Sequence, residues 1–527
     1  MPDNKKIRQL LFILIGVSTL VRAFLAATLE FGNDEVYYYL YALYPDFSHF
    51  DHPPMVGLVI QLFTLNLKID SEFFIRFSSV IFGSVNTFLA FGIGKKIKDE
   101  QTGFYAALLY TSSIYAFVIT GIFILPDTPQ MLFWLLTVSL SIDIIAKTDI
   151  AKSDDRKMLL TGVMIGLGML SKYTSVYLWV AIVGYIVLYN RIWLKRPSLY
   201  FSVIISAILF TPVIYWNIEN DFISLGYQGG RVNLLDSGLR PDYFLMEIVG
   251  EFFYNNPVNF IIIIISLWAF LFKKRRFISK EYFRVIAFTG LPLIATFIFF
   301  SFFRRTLPHW TGPGYTTLIF IAAPFISDTV KNKNILFPKP LKFAVNLLII
   351  VLIAGYSQIN YGLIWNQNPK YVKNSQIGSK DISLDIFGWK QIGEGFTKLY
   401  RQDLKNGNMD SNAVIISYRW FPLANIDYYV ARPNHINVLG IGSLYNIHKY
   451  ATINKKRGGF HLGMNAYYIT TSHDFNHADS VYKEYFKRIE PADTIPVYRG
   501  GKLVMNAFVF RMLGLKKLPA DVWMKKK

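Results

Sequence analysis

Acidic side chains are concentrated in one short stretch near the N-terminus. Residues 31–55 read FGNDEVYYYLYALYPDFSHFDHPPM and include Asp34, Glu35, Asp46 and Asp51. A carboxylate whose surroundings set its pKa suitably can act as a general base. A structural interpretation competes with this one, because Asn33 or Asp34 could cap a helix running through Tyr37–Leu43. The number of acids in a single loop favours chemistry, with Asp34 as the candidate base and Glu35 as a substrate contact.

The same stretch ends in Asp51-His52-Pro53-Pro54, in which the two prolines stiffen the chain. His52 has three interpretations: a structural hydrogen-bonded histidine, a hydrogen-bond donor to a phosphate, or a metal ligand together with Asp51, Asp34 and Asp127. The spacing of these residues matches no known metal cage. We therefore assign no metal ligand and no firm cofactor, and leave a divalent cation as an open alternative.

A second acid and several cations complete the set of reactive groups. Asp127 lies between Pro126 and Pro129, where it could cap a helix and still keep lone pairs for another role. Arginine forks match phosphate oxygens, although cations at a membrane surface also snorkel without binding anything. The candidate substrate-binding residues with these two interpretations are Lys172 with its neighbour Tyr173, Arg231, Arg304, Arg305 and His309.

Acids and cations together suit one reaction: attack on a sugar carbon whose leaving group is a lipid phosphate. The acid would deprotonate the acceptor hydroxyl. The cations would stabilise the departing phosphate, where negative charge develops. The tyrosines at 37–39 fit either a platform for sugar rings or an aromatic belt at the membrane surface, and composition favours the belt.

The elements that would position these groups are membrane spans. The chain is 53% hydrophobic and 17% aromatic with a mean hydropathy of +0.31, and apolar runs near 20 residues recur. Within lipid, only helices satisfy the backbone N–H and C=O groups of a chain built from such apolar runs. We predict about eleven spans, at residues 10–29, 72–94, 103–123, 128–146, 158–171, 174–190, 199–216, 257–272, 283–303, 311–327 and 341–363.

The distribution of charge predicts the orientation of these spans. Every second loop is basic, at 5–8, 95–98, 147–157, 191–196, 273–276 and 331–339, and basic loops face the cytoplasm. The N-terminus is therefore predicted inside and the acidic stretch outside, in the plasma (inner) membrane. The formal net charge of +20 is explained by these loops and not by nucleic acid. The absence of cysteine excludes disulfides and thiol catalysis.

The tail beyond residue 363 is polar and mixed. Its pattern predicts helices at 388–403, 423–430 and 481–489 and strands at 413–417, 435–439 and 466–470, which together indicate a small α/β domain. We therefore divide the chain into a transmembrane domain (1–363) with a catalytic first outer loop (30–71), and an extracytoplasmic α/β domain (364–527). Arg419 follows the first predicted strand, where α/β sheets often bind ligands, and is a candidate acceptor contact.

At these residues the sequence resembles the bacterial membrane glycosyltransferases of the C-type superfamily. The resemblance is to the family 39-like group related to protein O-mannosyltransferases and to the lipid A aminoarabinose transferase. Its most specific part is the loop GNDEVYYYLYALYPDFSHFDHPPMVGLVI. Weaker segments follow in the family's order: GIFILPDTPQMLFWLL, GLGMLSKYTSVYLW, SLGYQGGRV, PHWTGPGYTTLIF, DIFGWKQIG and SYRWFPLANIDYYVARP.

The resemblance implies the C-type glycosyltransferase fold and an inverting transferase that uses a polyprenyl-phosphate sugar on the periplasmic side. It implies Asp34 as the catalytic carboxylate and Asp127 as a second essential acid. Relatives in the aminoarabinose branch carry a lysine before Pro-Pro where this chain has His52, which argues against aminoarabinose as the sugar.

The sequence thus predicts a glycosyltransferase that moves a hexose-type sugar from undecaprenyl phosphate to an extracytoplasmic acceptor, which could be lipid A, a glycan or a protein hydroxyl. A secondary transporter is one alternative, but transporters place ionisable groups in mid-span and show inverted repeats, and neither is visible here. A lipid-carrier flippase is the other alternative. The sequence names neither the sugar nor the acceptor.

Overall fold

The computed structural model describes residues 3–232, 238–330, 335–365, 367 and 372–522. Part of the basic loop predicted at 331–339 lies outside these residues. The helices in chain order are α1 (Asn4–Thr28), α2 (Asn33–Leu43), α3 (Met55–Phe63), α4 (Glu72–Ile97), α5 (Glu100–Ser112), α6 (Asp127–Ile144), α7 (Lys152–Ser171), α8 (Tyr177–Tyr189), α9 (Pro197–Glu219), α10 (Ile223–Val232), α11 (Pro241–Tyr254), α12 (Pro257–Leu271), α13 (Lys280–Ser301), α14 (Gly312–Val330), α15 (Lys339–Tyr361), α16 (Trp389–Asn406), α17 (Trp420–Ile426), α18 (Leu444–Ile447), α19 (Tyr450–Lys456) and α20 (Ala478–Tyr482).

Membrane character is carried by the long apolar helices. Within the described residues, five helices are long and apolar enough to cross a bilayer: α1, α4, α9, α13 and α15. The pair α11 and α12 is also apolar enough but bends by 102° at the break between its two helices. A helix lies at each predicted span, yet several are shorter than a bilayer requires. The total of about eleven crossings and their orientation therefore stay predictions.

Local sequence explains where several of these helices begin. Proline occupies the first position of α9, α11 and α12, where its missing N–H group costs nothing. The Asp99 carboxylate accepts a hydrogen bond from the Thr102 N–H and caps α5. The predicted span 103–123 is interrupted at the extended residue Ser113, because α5 ends at Ser112 and a separate π-helix follows at Tyr115–Ile119 before α6 begins at Asp127.

The contacts divide the chain into two compact units. One contains residues 1–27 and 45–351, and the other contains residues 28–44 and 352–527. The helix that carries Asp34, α2, therefore belongs to the same unit as the C-terminal α/β region. The predicted division at residue 363 concerns the membrane boundary and stays a prediction.

The second unit contains a five-stranded mixed sheet in the order β2-β1-β3-β5-β4. Its strands are β1 (Val414–Ser417), β2 (Val438–Gly440), β3 (Ala466–Thr471), β4 (Phe486–Arg499) and β5 (Lys502–Leu515). Strand β1 pairs in parallel with β2 and β3, whereas β5 pairs antiparallel with β3 and β4. The β4–β5 turn is Gly500-Gly501, and both residues have positive φ, as a primed hairpin turn requires.

One predicted element of the tail is wrong. The predicted helix 481–489 is a short helix, α20, followed by the beginning of β4 at Phe486. The apolar residues of this segment have helical spacing, but pairing along the whole of β5 decides its conformation. The predicted strands at 413–417 and 466–470 are present with nearly the predicted bounds, and the strand predicted at 435–439 is shorter.

Candidate active site

Asp127 and Lys172 form a buried ion pair in the first unit. Lys172 Nζ lies 2.9 Å from Asp127 Oδ1 and 2.8 Å from Oδ2, and the Tyr115 hydroxyl donates to Oδ1 at 3.0 Å. Asp127 is 3% exposed and Lys172 is 6% exposed. Lys172 reaches this position because α7 ends at Ser171 and the lysine itself is extended before the turn at Tyr173–Val176. The first turn of α6 thus presents a carboxylate whose charge is balanced.

A cavity of about 280 Å³ adjoins this pair in the first unit. Its polar lining is His52, Lys172, Tyr173, Thr174, Gln228 and Arg231, and its apolar lining includes Val176, Tyr177, Phe297 and Trp310. The Arg231 guanidinium lies 4.5 Å from the centroid of the Trp310 ring, so a cation–π contact fixes it against the wall. The cavity therefore combines a cationic end with an apolar wall.

Two histidines of this region are neutral at pH 7. Burial lowers the pKa of His52 to about 4, against the opposing influence of Asp51. Burial likewise lowers the pKa of His309 to about 4, and Asp127 opposes this shift. Lys172 and Arg231 act electrostatically on both rings in the same direction as burial. A neutral imidazole can donate one hydrogen bond but contributes no charge toward a phosphate.

The low histidine pKa values predict that stability decreases in acid. The unfolded chain takes up these protons near pH 6.5 and the folded chain only near pH 4, so stability should be complete above pH 6.5 and decline as pH falls toward 4. Melting temperatures between pH 7.5 and 4 check this. His309→Gln should flatten the decline. His477→Gln should not, because that side chain is 56% exposed. If the melting temperatures of the wild-type protein and of both variants depend equally on pH, the low pKa of His309 is contradicted.

A second cavity of about 400 Å³ shares Arg231 with the first. Its other lining residues in the described chain are Gly230, Gly238, Arg240, Tyr243, Phe303, Arg304 and Arg305. Arg240 is paired with Asp242 at 2.7 Å, while Arg304 and Arg305 follow the end of α13. The structure thus brings Arg231, Arg304 and Arg305 to one cavity, an arrangement that fits anion binding.

Most predicted binding residues in the first unit are gathered in this region. His52 and Tyr173 line the first cavity, and the Tyr173 hydroxyl lies 2.8 Å from Ser224 Oγ. The backbone carbonyl of Asp51 accepts a hydrogen bond from the Gln228 side chain. His309 lies near Asp127 and Lys172, as the influence of both on its ring indicates.

Asp34 and Glu35 lie in the second unit, in the first turn of α2. Asp34 is exposed, whereas Glu35 is buried and its carboxylate accepts the Gly32 N–H at 3.0 Å. Glu35 therefore caps α2, which favours the structural interpretation for Glu35. The prediction that Asp34 and Asp127 share one site stays a prediction.

The tyrosines at 37–39 form neither an interfacial belt nor an open platform. Tyr37 is 1% exposed and its ring packs against Trp420 at 4.9 Å, and Tyr39 packs against Tyr428 at 5.2 Å. The Tyr429 hydroxyl accepts the Phe31 N–H at 2.7 Å. These contacts attach α2 to the C-terminal region of the same unit, so the aromatic cluster has a packing role.

Arg419 follows β1 as predicted and is ion-paired with Asp474, which follows β3. Since β1 and β3 are parallel neighbours, both residues lie at the carboxyl edge of the sheet. Trp420 stacks on His448 with ring centroids 5.4 Å apart. Trp420 is therefore a packing residue of the second unit.

Sequence reasoning missed several buried or cavity-lining residues of the first unit. Gln228 and Trp310 line the first cavity, and Glu247 and Glu251 lie on the inner face of α11. The spacing of the two glutamates within the apolar segment PDYFLMEIVGEFFY is a signal that could have found them. Within the described ranges, His, Cys, Asp and Glu side chains form no group of three or more that could hold a metal ion.

Comparisons with known proteins match part of the chain to a family model and its fold to solved structures. Residues 51–216, which include the Asp127–Lys172 pair, match the family model described as dolichyl-phosphate-mannose-protein mannosyltransferase. A comparison with curated protein sequences finds no match. The fold is similar to the crystal structures of ArnT from Cupriavidus metallidurans, apo and bound to undecaprenyl phosphate. Both have a TM-score of 0.61 and cover 95% of this chain and 97% of that one, at 12% and 13% identity respectively.

The chain therefore has the fold of the C-type membrane glycosyltransferases. Part of the chain, residues 51–216, carries the match to the mannosyltransferase family model. This confirms the resemblance seen in the sequence.

Proposed function

We propose that this chain transfers a hexose-type sugar from undecaprenyl phosphate to an acceptor on the outer side of the plasma (inner) membrane. The observation that carries the proposal is the first cavity, in which Lys172 and Arg231 meet an apolar wall. A lipid phosphate has the matching chemistry, an anionic head on an apolar chain. The structure of ArnT bound to undecaprenyl phosphate supports this donor, because that protein has the same fold.

The roles of the residues follow from the chemistry. Arg231 and Lys172 would hold the donor phosphate and stabilise the charge that develops as the sugar leaves. Asp34 would deprotonate the acceptor hydroxyl, and Asp127 would hold the Lys172 side chain in position through their 2.8 Å contact. Arg304 and Arg305 would contact the more polar part of a substrate in the second cavity. His52 stands where the aminoarabinose branch of the resembling family carries a lysine, and this difference supports a sugar other than aminoarabinose.

Lipid A, a glycan and a protein hydroxyl all remain candidate acceptors. We infer a periplasmic location for the region after residue 363 from the alternation of basic loops, and a role for Arg419 near the acceptor from its place at the sheet edge. Mass spectrometry of envelope lipids and proteins from cells with and without the gene would identify the product.

Donor binding can be tested on the purified chain. Undecaprenyl phosphate should raise the melting temperature saturably, because it binds the folded state alone. Arg231→Gln removes one charge-assisted contact, so the apparent Kd for the lipid should rise by roughly 10-fold to 100-fold. Arg156→Gln, an exposed substitution on α7, should leave it unchanged.

Two results together would contradict the proposal. Undecaprenyl phosphate would leave the melting temperature unchanged, and Arg231→Gln would leave lipid binding unchanged. A response to a small soluble solute instead would favour the transporter alternative. Equal weakening by Arg231→Gln and Arg156→Gln would show that the lipid binds through general surface charge.

A further inference from the structure

Exposed apolar side chains gather at one corner of the second unit, where α15 ends. The exposed fractions are 54% for Tyr361, 72% for Leu363, 66% for Ile364 and 40% for Trp365. Ile382, on an adjoining turn, is 84% exposed, the highest value among the large apolar side chains of the described residues. We call these five residues the apolar corner. Large exposed apolar surfaces mark sites of interaction with a membrane or with another protein.

Hydrogen bonds fix the chain at the end of α15. The Gln358 Oε1 atom accepts the N–H groups of Ile364 at 3.0 Å and of Trp365 at 2.9 Å. The Gln358 Nε2 atom donates to the Trp365 carbonyl at 2.8 Å. The backbone turns at Gly362, whose φ of 62° suits glycine. The exposed side chains that follow Gly362 are therefore carried by an ordered turn.

A buried arginine joins this turn to the one that carries Ile382. Arg499 is 1% exposed, its Nη1 donates to Ser383 Oγ at 2.8 Å, and its Nη2 is ion-paired with Asp381. A Cβ placed on Gly362 would lie 2.8 Å from Arg499 Nε, so the end of α15 packs directly on the guanidinium. Asp381 and Ser383 are both buried, and Ile382 between them is therefore held outward by a fixed backbone.

The position of the apolar corner indicates its partner. Helix α15 has 23 residues and is apolar enough to cross a bilayer, and 17% of its most apolar stretch is buried within the chain. The rest of that stretch faces lipid. The apolar corner continues this lipid-facing surface beyond the end of the helix, and it includes Tyr361 and Trp365, two residue types that membrane interfaces favour.

Lysines beside the apolar corner match the headgroup layer of a bilayer. Lys380 precedes the turn that carries Ile382, and Lys502 is the cross-strand partner of Arg499 in the β4–β5 hairpin. Both lysines are exposed. Cationic side chains near a membrane surface attract anionic lipid headgroups. Apolar side chains flanked by cations thus fit the two layers of a bilayer surface, the acyl chains and the phosphates.

We propose that the apolar corner inserts into the bilayer surface beside the end of α15 and docks the α/β region of the second unit on the membrane. Ile382 is the residue of the α/β region that enters the lipid. Helix α2 belongs to the same unit, so this docking also ties the unit that carries Asp34 to the membrane surface. The inference goes beyond the proposed transfer reaction, and its test needs no sugar donor.

The sequence contains no cysteine, so an introduced cysteine is a unique site for a nitroxide spin label. Ile382→Cys and the control Leu462→Cys are each labelled in the full chain, in nanodiscs of phosphatidylcholine and phosphatidylglycerol. Leu462 is 63% exposed, and the next residue, Gly463, donates its N–H to the Leu515 carbonyl at the far end of β5 from the Gly500-Gly501 turn. The control thus lies roughly 40 Å away along the hairpin, at about 3.3 Å per residue.

The label on Ile382→Cys should collide often with oxygen, which dissolves in acyl chains, and rarely with a water-soluble nickel chelate. Power-saturation measurements should place this label about 5–10 Å into the boundary between headgroups and acyl chains. The label on Leu462→Cys should collide freely with the nickel chelate. Both substitutions replace exposed side chains, so both variants should fold.

Two results would overturn the proposal. If both labels collide equally with the nickel chelate, Ile382 faces water. If the label on Ile382→Cys is shielded from oxygen and from the nickel chelate alike, protein covers the apolar corner instead of lipid, as in a contact with a second copy of the chain. Neither result depends on whether the chain binds undecaprenyl phosphate or transfers a sugar.

Discussion

Replacing Asp34 with asparagine should lower sugar transfer by at least about 10²-fold, because a positioned general base typically supplies a factor of about 10² to 10⁴. Asparagine preserves the size of the side chain and tolerates the first turn of α2, where Asp34 is exposed. Donor affinity should change little, since the proposed lipid contacts are Lys172 and Arg231. The measurement is kcat at saturating donor and acceptor, with donor binding followed separately.

Asp46→Asn is the matched control for this substitution. Asp46 lies in the same acidic stretch, is exposed, and accepts a hydrogen bond from the neighbouring Phe47 N–H. The Asp46→Asn variant should keep kcat within about 3-fold of the wild-type value. Asp46 takes no part in the proposed proton transfer, which is the step that a general base accelerates. If Asp34→Asn turns over at a nearly normal rate, the carboxylate serves only the helix terminus, and the base must be sought elsewhere.

The membrane part of the fold could be predicted largely from local sequence. Apolar runs of suitable length are sufficient to place helices such as α4 and α13, because burial in lipid depends on composition more than on partners. The end of α5 at Ser112 could not be predicted in this way. The residues after Ser112 are still mostly apolar, yet the structure has one extended residue at Ser113 and then a separate π-helix at Tyr115–Ile119.

The sequence predicted which residues belong to the candidate site, but not which of them are in contact. Asp127 and Lys172 were recognisable as candidate site residues, yet their contact joins residues 45 positions apart and depends on the break between α7 and α8. For the tyrosines at 37–39, residue type alone predicts the wrong environment. Their composition indicates a membrane interface, whereas contacts with Trp420 and Tyr428, far along the chain, bury them in the second unit.

Lys172→Met should produce the largest loss of stability among the substitutions considered. It leaves the Asp127 carboxylate buried with the Tyr115 hydroxyl as its hydrogen-bond donor, and breaking a buried ion pair typically costs about 3–5 kcal/mol. The melting temperature should fall by several degrees. Lys517→Met is the control, because the Lys517–Glu484 pair is equally short at 2.8 Å but more than half exposed, so its loss should leave the melting temperature nearly unchanged.

The double variant Lys172→Met/Asp127→Asn separates a structural role of the pair from a chemical one. Removing both charges leaves no uncompensated group, so the double variant should recover most of the stability lost by Lys172→Met. Transfer should stay low, because no cation remains at position 172 to hold the donor phosphate, and the lipid-induced rise in melting temperature should shrink. If transfer returns together with stability, the ion pair only supports the fold, and Arg231 must bind the donor phosphate without Lys172.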